Sequence, residues 1–357
     1  MSADTEDEAD RLEGTPHPRQ ARRLIGHAAV ERDLLDAYRA NKLPHAIIFG
    51  GPAGIGKATL AWRLARFILA NPDPNAPAVR DARDFAVVPD SKVASQIASL
   101  SHPDVSLLRR EVNDKTKRFY TEIRADDVRK TIQLFQRAAS AGGYRIGIVD
   151  SAEDLNRSSA NALLKLIEEP PPKSLFLLVA HRPGLILPTI RSRSRFIRLG
   201  ALTPSEVDAV VGSLGPPWSE QTHDDRAKAA AQAHGSVHGA LRLLGGSKGI
   251  ELDALVQRLL RNLPNVDWTQ VHRLADQIAG RDGEAGFDIA MTAIYDWLDQ
   301  AVHDGAAGQG PRRLAPYAEA WDKVAANARE TEALNLDKRP LILTIFSDLA
   351  AAVRAAA

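Results

Sequence analysis

The sequence of 357 residues contains no cysteine. This absence excludes disulfides, zinc sites with cysteine ligands and thiol nucleophiles, and it suits a reducing compartment such as the cytoplasm. Long apolar runs are also missing, because the strongest run, Ser174–Ala180, is far shorter than the roughly 18 residues that a membrane span needs. The start of the chain is acidic and has no apolar stretch. We therefore expect neither a membrane span nor a signal peptide.

An excess of charge of one sign is lacking as well, since 46 Lys and Arg stand against 45 Asp and Glu. The near balance conceals an asymmetry: residues 1–18 contain six acidic residues and one arginine. We predict that residues 1–18 form a disordered acidic tail, because they offer few apolar groups to bury. The remaining chain is moderately basic, which permits contact with nucleic acid without requiring it.

Short apolar runs alternate with longer amphipathic segments between residues 19 and 200. The runs are typical of buried strands, and the segments have the spacing of helices. This alternation predicts an α/β fold with a mainly parallel sheet covered by helices on both faces. The predicted strands are His45–Gly50, Val105–Leu108, Ile146–Asp150, Leu175–Ala180 and Phe196–Leu199.

The strand pattern stops after Gly200. Thr203, Pro204 and Glu206 predict a helix start with a capping box, and Gly245-Gly246-Ser247 is the best candidate for a linker. Five further helical stretches follow it. We therefore predict an α/β domain at 19–200, a small helical domain at 201–247 and an all-α domain at 248–357.

A glycine-rich segment, Gly51-Pro-Ala-Gly-Ile-Gly-Lys57, lies between the first predicted strand and a predicted helix, Thr59–Leu69. Backbone N–H groups of such a loop converge on phosphate oxygens, the helix N-terminus adds positive potential, and the lysine neutralises the phosphates. The alternative is an ordinary glycine-rich turn. The predicted nucleotide-binding residues are Gly51, Gly54, Ile55, Gly56, Lys57, Ala58, Thr59 and Asp150.

Two residues depart from the pattern of a hydrolysing site. Ala58 stands where a hydroxyl would coordinate Mg²⁺. Asp150 ends an apolar strand and is available to hold Mg²⁺. Ser151 follows it, at the position where phosphate-loop proteins that hydrolyse nucleotide carry a glutamate that polarises water. We therefore expect ATP to be bound without hydrolysis, in a vestigial site, or not at all, with Mg²⁺ held weakly and no other metal.

Four segments occur in an order that resembles bacterial clamp-loader subunits of the AAA+ class, and most closely the delta-prime family of DNA polymerase III. They are Leu43–Lys57, Asp150–Asn156, Asn161–Pro171 and Arg191–Ser194. The resemblance covers about residues 20–357. It implies an AAA+ domain, a helical lid and a C-terminal collar for oligomerisation, within the boundaries given above. It also implies a cytoplasmic hetero-oligomer with motor subunits (gamma/tau), a delta subunit, the sliding clamp and primed DNA.

The resemblance implies that Arg193 is an arginine finger, offered in trans to the nucleotide of the neighbouring subunit. The alternative is that Arg191, Arg193, Arg195 and Arg198 form a solvated basic face. Other positions depart from the motor subunits: Ala180-His181 replaces a threonine pair, His238 replaces an arginine of the lid, and Ser194 replaces a cysteine. The four zinc cysteines of many delta-prime relatives are missing, so residues 71–102 are expected to be a polar loop without zinc.

The resemblance therefore implies a structural clamp-loader subunit within the DNA polymerase III holoenzyme, itself not an active ATPase. The alternative is a catalytically active motor ATPase of the gamma/tau type. Ala58, Ser151 and His238 count against that alternative, because each replaces a group that handles metal, water or phosphate charge. A third class, an unrelated phosphate-loop kinase, would need a phosphoacceptor site and a lid of its own, and neither signature is present.

Overall fold

The structure is a computed structural model of the chain. It describes residues 8–9, 11–12, 14–113, 119–137, 139, 142–245, 249–280, 283–308, 311–333 and 336–356. The chain divides into two compact units, Met1–His238 and Gly239–Ala357. The boundaries expected at residues 200 and 247 stay predictions, and Gly246 and Ser247 of the expected linker lie outside the described residues.

Five parallel strands form one sheet in the first unit, in the order β2-β3-β4-β1-β5. They are β1 (Ala46–Gly50), β2 (Val105–Leu108), β3 (Arg145–Asp150), β4 (Ser174–Ala180) and β5 (Arg195–Arg198). All residues of β1, β3 and β4 are buried, which is why these strands are continuous apolar runs instead of alternating ones. The α/β class predicted from the sequence is confirmed.

Helices cover both faces of this sheet. The helices of the first unit are α1 (Ala28–Arg39), α2 (Lys57–Ala70), α3 (Pro77–Arg80), α4 (Lys92–Ala98), α5 (Ala125–Gln136), α6 (Arg157–Glu168), α7 (Pro188–Ser192), α8 (Pro204–Ser213) and α9 (His223–Gln232), of which α8 and α9 pack against each other. One apolar cluster joins α1 and α2 to one face of the sheet and includes Trp62 and Phe49. A second cluster, with Leu163 of α6 and Phe135 of α5, covers the other face.

The second unit is helical throughout its described residues. Helix α10 (Val237–Leu244) spans the division between the units, and it is followed by α11 (Gly249–Arg261), α12 (Trp268–Ile278), α13 (Gly283–Gly308), α14 (Pro311–Ala333) and α15 (Lys338–Ala356). A single apolar cluster includes Leu259, Val271, Ile294, Val324 and Phe346, one residue from each of the last five helices. In the part of the chain that the structure describes, no helix is both long and apolar enough to cross a membrane.

The described residues within 8–18, part of the expected disordered tail, contact the rest of the first unit. The Glu8 carboxylate is paired with Arg19 at 2.8 Å and with Arg109 at 3.0 Å. The carbonyl of Gly14 accepts a hydrogen bond of 2.9 Å from the indole of Trp218. Composition suggested disorder because it counts apolar groups, whereas this segment is held mainly by ion pairs and hydrogen bonds.

Residues 71–102 are also more ordered than the polar loop expected from the sequence. They contain α3 and α4, and the side chains of Val79, Phe85 and Ile97 are buried in the cluster around α2. Arg39 of α1 fixes this region by donating to the carbonyl of Val79 at 3.0 Å. The segment is therefore part of the folded domain without cysteine ligands.

Candidate functional site

The predicted phosphate loop lies at the carboxyl ends of the central strands. The sheet register pairs Gly50 of β1 with Ala180 of β4, and Asp150 of β3 with Val179. In open parallel sheets, ligands bind outside the carboxyl ends of the strands, among the loops that follow them. Residues 51–56 follow β1 and lead directly into α2, which is the strand–loop–helix context that the sequence predicts.

Two glycines of this loop adopt conformations that suit no other residue well. Gly54 has φ of 74° and Gly56 has φ of 97°, in the left-handed region that residues with a Cβ atom rarely adopt. A Cβ atom at Gly54 would also lie 2.8 Å from the backbone nitrogen of His238. At Gly54 the backbone therefore turns sharply, and the backbone of His238 approaches it closely.

Lys57 is buried, with 2% of its surface exposed, and its ammonium group bonds to the loop itself. Nζ donates to the carbonyl of Gly51 at 2.8 Å and also to the carbonyl of Pro52. Burial lowers the pKa of Lys57 to about 8, while the charges of Asp150 and Glu153 act in the opposite direction. Lys57 is thus mostly protonated at pH 7, and loop carbonyls accept from two of its three N–H donors.

Residues 236–237 close onto the loop from the side of the predicted lid. The hydroxyl of Ser236 donates to the carbonyl of Ala53 at 2.8 Å, and the backbone N–H of Val237 donates to the carbonyl of Gly54 at 2.9 Å. His238 follows directly, at the position where motor subunits are expected to carry an arginine. This contact with the predicted phosphate loop was not predicted from the sequence.

The ends of β3 and β4 are joined by a carboxylate. Asp150 is buried, and one oxygen of Glu153 accepts hydrogen bonds of 2.9 Å from the backbone N–H groups of both His181 and Arg182. Glu153 therefore faces the site, and one of its two carboxylate oxygens links the segment after β3 to the segment after β4.

His181 carries little positive charge in this arrangement. Burial lowers its pKa well below the ordinary value, and the cations Lys57, Arg182 and Arg110 lower it further. The site thus brings together Lys57, Asp150, Glu153 and His181 within electrostatic range of one another.

Three other predicted nucleotide-binding residues contribute less than expected through their side chains. The side chain of Ile55 is fully buried in the apolar cluster and only its backbone faces the loop. Ala58 packs against the same cluster, and Thr59 is half-buried on α2. At Ala58 the site therefore lacks the hydroxyl that would coordinate Mg²⁺. In the residues that the structure describes, no cluster of three or more His, Asp or Glu side chains could hold a metal ion.

Sequence reasoning missed the segment just before α1. His27 is buried and its Nε2 atom lies 2.7 Å from the carbonyl of Ile55. A Cβ atom at Gly56 would lie 3.5 Å from Leu24, which covers the loop from the same side. A usable signal was Gly26, whose φ of 88° marks the turn that directs His27 toward the loop.

Arg193 lies at the carboxyl end of α7, and 42% of its side chain is exposed. Its Nε atom is 2.8 Å from Oε1 of Glu168, and Nη1 donates to the carbonyl of Thr189 and the hydroxyl of Ser192, both at 3.2 Å. These three partners lie outside residues 51–56, the predicted phosphate loop of the same chain. Arg191, Arg195 and Arg198 are exposed as well, so the basic face weighed from the sequence is also present.

Comparisons with known proteins agree with this architecture. A family model described as DNA polymerase III, delta subunit, matches residues 26–203. The DNA polymerase III subunit delta' of Pseudomonas aeruginosa is 36% identical over 149 residues, which are 42% of this chain and 41% of that relative. The subunit delta' of Escherichia coli is 28% identical over 274 residues, 77% of this chain and 75% of that relative.

Two further matches are to a gamma/tau subunit and to a solved structure. The subunit gamma/tau of Mycobacterium tuberculosis is 29% identical over 195 residues, 54% of this chain and 30% of that relative. A crystal structure of a gamma subunit-related protein from Thermotoga maritima is 17% identical, covers 89% of this chain and 99% of its own, and has a TM-score of 0.39.

The parallel sheet with a glycine-rich loop at its carboxyl edge, followed by a helical part, is the α/β architecture predicted from the sequence. The family model covers all five strands of the sheet, and the two delta' relatives carry the same subunit name. The chain belongs to the delta-prime family of DNA polymerase III subunits.

Proposed function

We propose that this chain is the structural, non-hydrolysing delta-prime subunit of a DNA polymerase III clamp loader. In this role it assists the ATP-driven loading of the sliding clamp onto primed DNA. Its partners would be the gamma/tau motor subunits and the delta subunit, in the cytoplasm. It would offer Arg193 to the nucleotide of the neighbouring motor subunit.

One observation carries the proposal: the phosphate loop is bonded to groups of its own chain. Lys57 is bonded to the carbonyls of Gly51 and Pro52, and Ser236 to that of Ala53. ATP would have to displace Lys57 from these carbonyls, and Ala58 and Ser151 would then supply neither the Mg²⁺ hydroxyl nor the water-orienting carboxylate. When ATP is present at such a loop, its charge is met by Lys57 and by the loop N–H groups alone.

The geometry of Arg193 supports use by another chain. A guanidinium that completes a neighbour's site has to be exposed, and it has to lie away from the loop of its own chain. Arg193 meets both conditions, because it is exposed and is bonded to Glu168 and Thr189. Arginine suits the task because its planar, permanently charged group stabilises charge that develops on phosphate oxygens.

The second candidate function is a motor ATPase of the gamma/tau type. The alignment to the gamma/tau subunit of Mycobacterium tuberculosis favours it, and Lys57 and Asp150 are compatible with both candidates. The two are separated by the ATP turnover of the purified chain. We expect none above background with Mg²⁺ present, and turnover near one per second would establish the motor candidate instead.

The trans role is tested by Arg193→Ala in a clamp loader reconstituted with its motor and delta subunits. We expect ATP turnover at the completed site to fall by about 10³-fold or more, which the assembly shows as a lower total rate and slower clamp loading. Arg191→Ala is the matched control, because Arg191 is an exposed arginine two residues away. Equal losses for both variants would support the basic face instead, and an unchanged rate for Arg193→Ala would overturn the proposal.

A further inference from the structure

The carboxylate of Glu168 lies beside the guanidinium of Arg193 across two separate elements. Glu168 is the last residue of α6, and Arg193 follows directly after α7. Oε1 of Glu168 and Nε of Arg193 are 2.8 Å apart, and 38% and 42% of the two side chains are exposed. At this distance the two side chains form an ion pair.

The position of Glu168 is unfavourable for its own helix. The carboxyl end of a helix carries partial negative charge, so a carboxylate in the last turn is disfavoured there. No gain in helix stability therefore accounts for the glutamate, whereas a cation held beside it does. Helix α6 itself is well anchored, since Asn156 caps its start and Leu163 and Ile167 are buried.

The bonds of Arg193 leave one edge of its guanidinium for a ligand. Glu168 uses Nε, and the carbonyl of Thr189 and the hydroxyl of Ser192 use Nη1. No partner of Nη2 lies among the described residues. The backbone of Arg193 is fixed as well, because its N–H donates at 3.2 Å to the carbonyl of the buried residue Ile190.

We propose that Glu168 is a positioning residue for the arginine finger. It holds Nε, so that Arg193 meets the neighbouring nucleotide in one orientation and not as a freely rotating side chain. A long exposed side chain loses rotamer entropy when it is fixed in one orientation. The preformed ion pair imposes part of this loss before the neighbouring subunit binds, so that less entropy is lost on binding. The inference rests on the trans role of Arg193 proposed above.

The test uses the reconstituted clamp loader with Glu168→Ala, Glu168→Gln, Arg193→Ala and the double variant. Glu168→Ala should lower kcat for ATP by about two- to fivefold, the range of an exposed ion pair, with KM for ATP unchanged. Glu168→Gln keeps an oxygen acceptor and should lose less. The rate of Arg193→Ala sets the floor, because the other sites of the assembly continue to turn over.

Two readouts separate positioning from a structural role. In the double variant, Glu168→Ala should cause no further loss once Arg193 is alanine, as expected for residues that act as one unit. The effect of Glu168→Ala should also shrink in high salt, which screens the exposed pair in the wild type. Glu169→Ala is the matched control, because Glu169 is the exposed neighbouring carboxylate and forms no ion pair with the described residues.

The outcomes are distinguishable from a failure of the proposed function. If Arg193→Ala leaves the rate unchanged, the trans role itself is wrong. If Arg193→Ala lowers the rate while Glu168→Ala matches the wild type, only the positioning role is wrong. A faster Glu168→Ala variant would also overturn it, since the carboxylate would then be restraining the arginine.

Discussion

Charge at the candidate nucleotide site is arranged residue by residue so that little of it remains unbalanced. Lys57 keeps its proton at pH 7 because burial lowers its pKa only to about 8, with the charges of Asp150 and Glu153 acting in the opposite direction. His181, which faces Lys57 and Arg182, stays neutral instead. Lys57 thus stays charged in the buried site, whereas His181 stays neutral and adds no charge that has to be desolvated.

The neutral state of His181 predicts a pH dependence of folding. The folded-state pKa lies below that of an unfolded histidine, about 6.5. Above that pH neither state binds the proton, and below it only the unfolded chain does. The free energy of unfolding should therefore fall as the pH falls below about 6.5, by up to roughly 1.4 kcal/mol per pH unit from this residue.

Urea unfolding of wild type and His181→Gln between pH 5 and 8 measures this contribution. We expect the two stability curves to converge toward pH 5, because the variant lacks the titrating group. His223→Gln is a matched control, since His223 is exposed on α9. Parallel curves for His181→Gln and the wild type would contradict a buried, neutral imidazole.

At the scale of single elements, much of the fold could be predicted from the sequence. The strands of the sheet lie within one residue of their predicted bounds, because buried parallel strands are short, continuous apolar runs between turn residues. The start of α8 is another success. Thr203 accepts from the backbone N–H of Glu206, and Glu206 accepts from the backbone N–H of Thr203 at 2.8 Å.

The failures at this scale share one physical origin. The contacts of His27 with Ile55, of Ser236 with Ala53 and of Glu8 with Arg109 each join residues that are far apart in the sequence. Periodicity and capping patterns describe neighbours along the chain and contain no information on such pairs. The glycine-rich loop could therefore be predicted as a phosphate loop, whereas its coverage by the chain's own residues could not.

The capping box of α8 gives a stability prediction. Thr203→Ala removes the side-chain acceptor for the N–H of Glu206 and should destabilise the first unit by about 1 kcal/mol. Thr203→Ser keeps the hydroxyl and is the control. Equilibrium unfolding by circular dichroism measures both, and an alanine variant as stable as the serine variant would show that the cap contributes nothing.

At the scale of the whole molecule, the segment before α1 ties distant parts of the first unit together. Glu8 bonds to Arg19 and Arg109, and Gly14 bonds to Trp218. Burial raises the pKa of Glu8, but the bond with Arg19 and the charges of Arg109 and His17 outweigh it, so the pKa of Glu8 is lowered. The Glu8 carboxylate is therefore ionised at neutral pH.

A truncation that begins at residue 16 tests this role. It removes Glu8 and Gly14, leaves Arg109 and the indole of Trp218 without those partners, and should lower Tm by several degrees, corresponding to roughly 1–3 kcal/mol. Trp218 fluorescence should shift to longer wavelength. A truncation that begins at residue 8 retains both contacts and is the control. Identical Tm values for the two truncations would contradict a stabilising segment.

The edge of the sheet at β5 has a consequence for the free chain. Among the residues that the structure describes, β5 pairs with β1 and with no other strand, and an unpaired strand edge can recruit the edge of a second molecule and start aggregation. Phe196 on this strand is 46% exposed and would favour such growth. Arg195 and Arg198 on either side of it place positive charge along the edge, and like charges on two approaching copies repel one another. We therefore expect Arg195 and Arg198 to limit edge-to-edge association of the free chain.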